Sequence, residues 1–574
     1  MSQSYQHFDL AIYCTAGDLE NISREQLERD IAFFQKHLKL SKAYIENHRG
    51  DIHLSRERLQ ELKDIFESKG IATAGGITPT LPDAYRPGYN RLFGGICYTD
   101  EASRKQFQHA VETAAAVFDE VIFDDFFFNN CACDTCLEGK GDRTWEEFRL
   151  ELMTEVSENL IMKPGKAVNP NVKLVIKYPN WIESYQSTGY NTELQPNLFD
   201  GIYTGTETRN PYNSQQHIPR YASYSLMRWM EHLKPGENGG GWFDSLDCTY
   251  IDYYLEQAYL TVFSKARELT LFCYGLLKDS LYIPPLGFQL DKLDELDELA
   301  PKLGEPLGLR VYQPHHGRGE DHLYNYLGGL GIPFEPSPHF PENGEKVLVA
   351  ADATRDPDIL DKIKRHMQAG GEVIMTSGFL EKMEGRGVEQ LTTLRTTGKR
   401  ISIQKYGMDT RSCTFDRFAE GAEPVLFPVL EYSTNGTWQM IIGFNSDYNL
   451  PVLMYDNYGK GKLYTLTVPD NMADFRKLPQ EALHALRRTL VGELPCVLEG
   501  KSDAGLFIYD NGTVIVQSFR TDPERWGIRV PADSDVVRVK TGKSAKRVRE
   551  EDGAAIYEAM LSPSSFEVFQ IVKR

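Results

Sequence analysis

The stretch FDLAIYCTAGDLENIS, residues 8–23, runs through an apolar, β-branched segment and leaves it by a turn that holds one glycine. An open, doubly wound sheet that binds a nucleotide turns at this place through GxGxxG or GxxxxGKS, where glycines let backbone amides close on phosphate. CTAGDLENIS has neither pattern, so the run reads as the first strand of a closed barrel. Seven further runs follow: KAYIEN (42–47), IATAGGI (71–77), EVIFDDFF (120–127), KLVIKY (173–178), FDGIYTG (199–205), GGWFDSL (240–246) and ELTLFCYG (268–275). Between them lie segments of helical period such as REQLERDIAFFQKHL and SRERLQELKDIFESKG, with apolar residues three and four apart. Eight strands alternating with helices over about 280 residues predict a (β/α)8 TIM barrel.

Beyond a proline-rich passage (YIPPLGF, 282–288), the strand, helix and strand order of KVLVAAD, DPDILDKIKRHMQAGGEVIMTSGF and GKLYTLTV predicts a second α/β layer of flavodoxin type. An active amidotransferase of this type needs a cysteine on a sharp turn after a strand, and Cys413 in RSCTFDR has no such setting. The last stretch alternates as GLFIYDNGTVIVQSF, with Asn511-Gly512 as its hairpin turn, and predicts a small antiparallel β domain. The expected boundaries are 1–300 for the barrel, 305–492 for the α/β domain and 495–574 for the β domain.

The 574 residues are 41% hydrophobic and 25% charged, ordinary globular usage that excludes a fibrous or disordered chain. A formal charge of -19 repels phosphate backbones and anionic lipid, so neither nucleic acid nor membrane is the expected partner. The start, MSQSYQHFDL, lacks a basic-then-apolar leader, and the expected location is the cytoplasm, or the periplasm or exterior if a signal peptide has been removed. Nine cysteines at low density argue against a disulfide framework.

In a barrel the loops after the strands' carboxyl ends build the active site. Asp124 and Asp125 end the fourth run among phenylalanines, Asp244 ends the seventh, Glu207 follows the sixth and Glu46 the second. A glycosidase needs two carboxyl groups facing each other across the anomeric carbon, and strands four and seven lie nearly across a barrel from one another. Asp125 is the candidate acid and Asp244 or Glu207 its partner, while Trp181, Trp242 and Tyr274 offer faces for sugar rings. Cys131, Cys133 and Cys136 in NNCACDTC can point at one ion, with Cys97 in FGGICYTD as a fourth ligand. Four thiolates leave no open position, which makes a bound zinc structural and a zinc-dependent hydrolase the weaker reading.

The order of these landmarks resembles the family 42 glycoside hydrolases, the trimeric β-galactosidases of clan A, and their distant relatives. The similarity rests on the cysteine before TDEASRKQFQHAV, the carboxylate pair ending strand four, CxCxxC after it, and the acid ending strand seven before EQAYLTVFSKARELTLFCYG. The resemblance implies an exo-acting glycoside hydrolase on galactoside-like sugars, a homotrimer, an amidotransferase-like trimerisation domain, and zinc on Cys97, Cys131, Cys133 and Cys136 with no organic cofactor. Both of the family's catalytic glutamates are aspartates here, Asp125 and Asp244. Losing one methylene on each side, about 1.5 Å per carbon–carbon bond, widens the gap towards the inverting range and predicts inversion for that pair. The alternative is a carbohydrate-binding or scaffold protein that kept the fold and lost the chemistry.

Overall fold

A computed structural model of the chain describes residues 4–81, 94–212, 214, 216–279, 290–342, 344–409, 415–446 and 448–574. The passage 282–288 and Cys413 lie outside the described residues. All eight expected strands form: β1 (Asp9–Cys14), β2 (Lys42–Arg49), β3 (Ala72–Ile77), β4 (Glu120–Phe123), β5 (Lys173–Tyr178), β6 (Gly201–Gly205), β7 (Asn238–Asp244) and β8 (Glu268–Phe272). Each pairs in parallel with the next, and β8 pairs with β1, so the sheet closes into a TIM barrel. A two-residue strand, Ile52–His53, folds back on β2.

Local chemistry starts the crossover helices where the sequence expects them. Ser23 accepts from the Gln26 amide to cap Arg24–His37, and Ser55 accepts from the Arg58 amide to cap Arg56–Ser68. Thr144 and Glu147 form a reciprocal capping box at Trp145–Val156.

Strand side chains alternate, so one inward layer fixes the next. Tyr44, Ala74, Ile122, Val175, Tyr203 and Trp242 fill the barrel as one apolar cluster with Ala11, Tyr13 and Phe272. Two residues further along their strands stand Glu46, Gly76, Asp124, Lys177, Gly205 and Asp244, a polar layer directly above an aromatic floor. Gly76 makes that layer possible, because a Cβ there would lie 2.6 Å from the Tyr13 hydroxyl, which donates to Glu46 Oε1 over 2.8 Å. Gly76→Ala is expected to displace Tyr13 and destabilise the protein by about 1–3 kcal/mol, read from denaturant unfolding. An unchanged midpoint and slope would contradict this placement.

The second unit begins with a nine-stranded sheet. Five parallel strands, Phe334–Ser337, Leu309–Tyr312, Val347–Val349, Glu372–Thr376 and Gly461–Leu466, form its α/β part. The helix Ile359–Ala369 ends at Gly370, whose φ of 107° supplies the left-handed turn. Four long antiparallel strands, Tyr448–Tyr458, Thr437–Asn445, Arg395–Asp409 and Phe415–Glu431, extend the same sheet, an addition the sequence reading did not anticipate. The final region is a pair of antiparallel sheets around one apolar core. The hairpin Ala504–Tyr509 to Thr513–Ser518 turns through Gly512 at φ 81°, as the Asn-Gly signal predicts.

Candidate active site

Lys177 is the centre of the polar layer. Its Nζ lies 2.8 Å from Asp125 Oδ2, 3.0 Å from Glu207 Oε1 and 3.5 Å from Asp124 Oδ1, and 4.5 Å above the Trp242 ring. Only 1% of its side chain is exposed, against 19% for Asp125, so the ammonium is buried above the aromatic floor and Asp125 reaches solvent. Burial works against the ammonium, but Asp125, Glu207 and Asp124 outweigh it and hold the lysine charged. Bound to one nitrogen at 2.8 and 3.0 Å, the two oxygens of Asp125 and Glu207 are at most 5.8 Å apart.

The three acids around Lys177 differ in environment. Burial opposes the Asp124 anion, yet Lys177 and Arg49 overcome it and lower its pKa. Asp124 Oδ2 also accepts from Thr78 (3.0 Å) and Arg49 (3.1 Å), and Oδ1 from the Asp125 amide (2.8 Å). Asp125 is pushed up to about 7, first by burial and then by the charges of Asp124 and Glu207, against the pull of Lys177. Glu207 is raised by burial and by Asp244, and its Oε2 has no hydrogen-bond partner among the described residues. Gly205 gives that oxygen room, since a Cβ there would sit 2.6 Å from it. Phe127 and Phe128, both fully buried, anchor the Asp125 loop, and Tyr190 donates to the Asp125 carbonyl.

The flanking acids are tied to cations. Glu46 takes the Arg49 guanidinium at 3.0 and 3.1 Å, the Ala16 amide at 2.6 Å and the hydroxyls of Tyr13 and Thr78. Asp244 is gripped at both oxygens by Arg209, at 2.9 and 2.7 Å, in a bidentate fork. Gln257 accepts from the Thr208 and Arg209 amides and donates to the Asp244 carbonyl, locking the loops after β6 and β7 together.

The structure therefore brings Asp124, Asp125 and Glu207 together, joins Glu46 to them through Arg49, and sets Asp244 beside Glu207 through Arg209. Trp242 lies in the floor, packed on Tyr13 and Phe272, and Trp181 joins Phe128, Tyr185 and Tyr190 in an aromatic group after β5. Tyr274 belongs elsewhere: it begins the helix Tyr274–Asp279, packs edge-on against Phe34, and donates to Asp30. Lys177, Arg49 and Arg209 escaped the sequence reading, which looked for acids. The alternation that turns Val175 inward also turns Lys177 inward, and each arginine follows a candidate glutamate within three residues.

The four cysteines converge as expected. Their sulfurs all lie within 4.8 Å of one another, with Cys97 3.6 Å from Cys133 and 3.7 Å from Cys136, and all four are buried. A tetrahedron with metal–sulfur bonds of about 2.3 Å has edges of about 3.8 Å, so the cluster fits a metal ion. The Thr99 and Thr135 hydroxyls lie 3.1–3.3 Å from three of the sulfurs. The cluster clips the segment after β3 to the loop that follows Asp125.

The acids and cations converge at the carboxyl ends of a closed parallel barrel, the face on which TIM-barrel enzymes carry their active sites. Residues 1–284 match the catalytic domain of probable glycosyl hydrolases and residues 495–571 their C-terminal domain, while residues 304–471 match the second domain of the uncharacterized protein SSO3021. The chain thus carries a glycosyl hydrolase-like catalytic domain. That uncharacterized protein, from Saccharolobus solfataricus, is 26% identical over 507 residues, 81% of this chain and 82% of its own. A β-galactosidase from Bacillus circulans sp. alkalophilus superposes with a TM-score of 0.65 at 12% identity, covering 99% of both chains. An α-L-fucosidase, isoenzyme 2 from Paenibacillus thiaminolyticus, does so with 0.66 at 11% identity over all of both chains. In fold the chain is similar to a family 42 β-galactosidase, with a TM-score of 0.63 at 12% identity. Among the described residues, no helix is long and apolar enough to cross a membrane.

Proposed function

We propose that the chain is an exo-acting glycoside hydrolase in which Asp125 and Glu207 are the reacting pair. The observation that carries this reading is their shared contact with Lys177, one partner raised to about 7 and the other with an unbonded oxygen. Burial raises both, and Asp125, at about 7, is poised to carry a proton near neutral pH, as the acid's role requires. One oxygen of each lies on the same ammonium, at most 5.8 Å from the other, which favours the close spacing of retaining enzymes, about 5–5.5 Å between carboxyl groups, over the roughly 6.5–9.5 Å of inverting ones. Asp244, the partner that favoured inversion, is held by Arg209 and supports the site from the side.

In the first step the Glu207 carboxylate bonds through one oxygen to the anomeric carbon as the glycosidic bond breaks, and Asp125 gives its proton to the departing oxygen. In the second, Asp125 takes a proton from water, whose oxygen displaces Glu207 from the sugar. The enclosure of the acids, with Glu207 and Asp244 under 5% exposed, suits a chain end better than the middle of a polymer. The rate with aryl glycosides is expected to fall as pH rises through about 7, where Asp125 loses its proton. A plateau extending past pH 9 would remove Asp125 from the acid's role.

The metal in the cysteine cluster is, on this reading, one zinc per chain, held by Cys97, Cys131, Cys133 and Cys136 as a brace for the loop bearing Asp125. Cys131→Ser is expected to lose zinc by elemental analysis and to lower the melting temperature by about 5 °C or more. Full stability in zinc-free protein would sink the assignment.

A further inference from the structure

Asp124 stands one residue before Asp125, and only 3% of its side chain is exposed. Both of its oxygens are bonded. Oδ1 accepts from the Asp125 amide at 2.8 Å, and Oδ2 accepts from Thr78 Oγ1 at 3.0 Å and Arg49 Nη2 at 3.1 Å. So enclosed, Asp124 does not meet a sugar in the pocket, and any part it has in the reaction is played through another residue. The nearest such residue is Asp125. Lys177 Nζ lies 3.5 Å from Asp124 Oδ1 and 2.8 Å from Asp125 Oδ2, which puts these oxygens within 6.3 Å of each other on one ammonium.

Two like charges this close in a buried layer oppose one another, and the group with the stronger donors keeps its charge. Asp124 has those donors. Arg49, which also holds both oxygens of Glu46 at 3.1 and 3.0 Å, grips it from β2, and with Lys177 it keeps the group an anion. Asp125 instead feels Lys177 from β5, Glu207 and Arg209 from the loop after β6, and Tyr185 and Tyr190 from the aromatic group after β5. The two cations draw its proton away, whereas Glu207 and Asp124 hold the proton in place. Glu207 gives up its charge when it bonds to the anomeric carbon, so Asp124 is the anion that persists through both steps. An ordinary aspartic acid ionises at about 4 and reaches neutral pH with no proton to give. We propose that Asp124 is the positioning residue that keeps the proton on Asp125, a fixed anion clamped by Arg49 and set against the acid across Lys177. This deepens the glycosidase reading and rests on it for the step that the proton serves.

The test is the pH dependence of kcat/KM in Asp124→Asn and Asp124→Ser, which remove the charge with different shapes, on a phenyl glycoside whose leaving group needs the proton. The alkaline limb, at about 7 in the unaltered protein, is expected to move down by about one to two pH units in both. At pH 7 the loss is then about fivefold or more, and at pH 5 it is several times smaller. Asp124→Glu keeps the charge and is expected to return the limb towards pH 7. A limb that stays in place or moves up in the first two variants would overturn the proposal. So would a limb moved equally by Asp124→Glu, since a purely structural role predicts that result. A second readout needs no turnover: carbon-13 NMR of the aspartate carboxyl groups, with Asp125→Asn identifying the signal. Asp125 is expected to titrate about one unit or more lower in Asp124→Asn, and an unmoved titration overturns the proposal. Failure of the glycosidase reading is distinct, because the unaltered protein would then hydrolyse no glycoside while the titration still moved.

Discussion

Replacing Asp125 by Asn and Glu207 by Gln is expected to lower kcat/KM for an unactivated glycoside by about 100-fold to 10,000-fold and by 10,000-fold or more, respectively. The two losses have different signatures. Asparagine at 125 keeps the shape but has no proton to give, so the deficit should shrink with a 2,4-dinitrophenyl leaving group, which departs as an anion. Glutamine at 207 removes the negative charge that attack on carbon requires, and no leaving group compensates for that. Azide should restore turnover in Glu207→Ala by occupying the vacated space beside the anomeric carbon. Asp244→Asn, by contrast, weakens the Arg209 fork, held at 2.9 and 2.7 Å, and should cost far less than either. If Asp244→Asn is the more damaging change, the pair is assigned wrongly. If no variant alters turnover, the alternative stands: a carbohydrate-binding protein on a glycosidase fold.

The second large effect is at Lys177, whose side chain is 1% exposed among three carboxyl groups. Lys177→Met keeps the volume over Trp242 and removes the charge. Breaking a buried ion cluster by taking out one partner costs about 3–5 kcal/mol, because the remaining charges stay buried and unpaired. The sign of its pH dependence follows from Asp125. In the intact protein its folded pKa, about 7, already exceeds the usual carboxylate value of about 4, so it favours folding at low pH and loses that contribution as pH rises between the two. Without Lys177 the folded pKa climbs further. The variant should therefore approach normal stability near pH 5, lose several kcal/mol by pH 8, and move the alkaline limb of the rate profile upward. Equal unfolding midpoints at pH 8 for both proteins, or a limb that moves down, would contradict the arrangement.

Much of the barrel was legible because its signals are local. Eight apolar runs became eight strands, and Ser23 and Ser55 cap helices where serine before a helical period says they should. The long hairpins from Arg395 to Tyr458 were not, since their exposed faces and the register shifts along them break the alternation. In the site, Asp124, Asp125, Glu207 and Asp244 could be named as candidates from their place after strands, whereas which of Glu207 and Asp244 an arginine holds at both oxygens could not. That choice depends on Arg209 folding back on Asp244, a contact made by a loop whose path, with Arg209 at φ 50°, no propensity specifies. Tyr274 misled for the opposite reason: it follows a strand, but the chain has already turned into a helix that sends its ring to Phe34. The cysteines were the clearest signal, because three thiols in six residues leave few other geometries.

The most direct test of the Asp125–Glu207 pair is to inactivate the protein with an activated 2-deoxy-2-fluoro glycoside of a sugar it hydrolyses and to map the attached sugar by peptide mass spectrometry. The account predicts one sugar per chain, bonded to Glu207 in the segment GTETRNP. A sugar on Asp244, or hydrolysis with inverted configuration and no trapped intermediate, would contradict it.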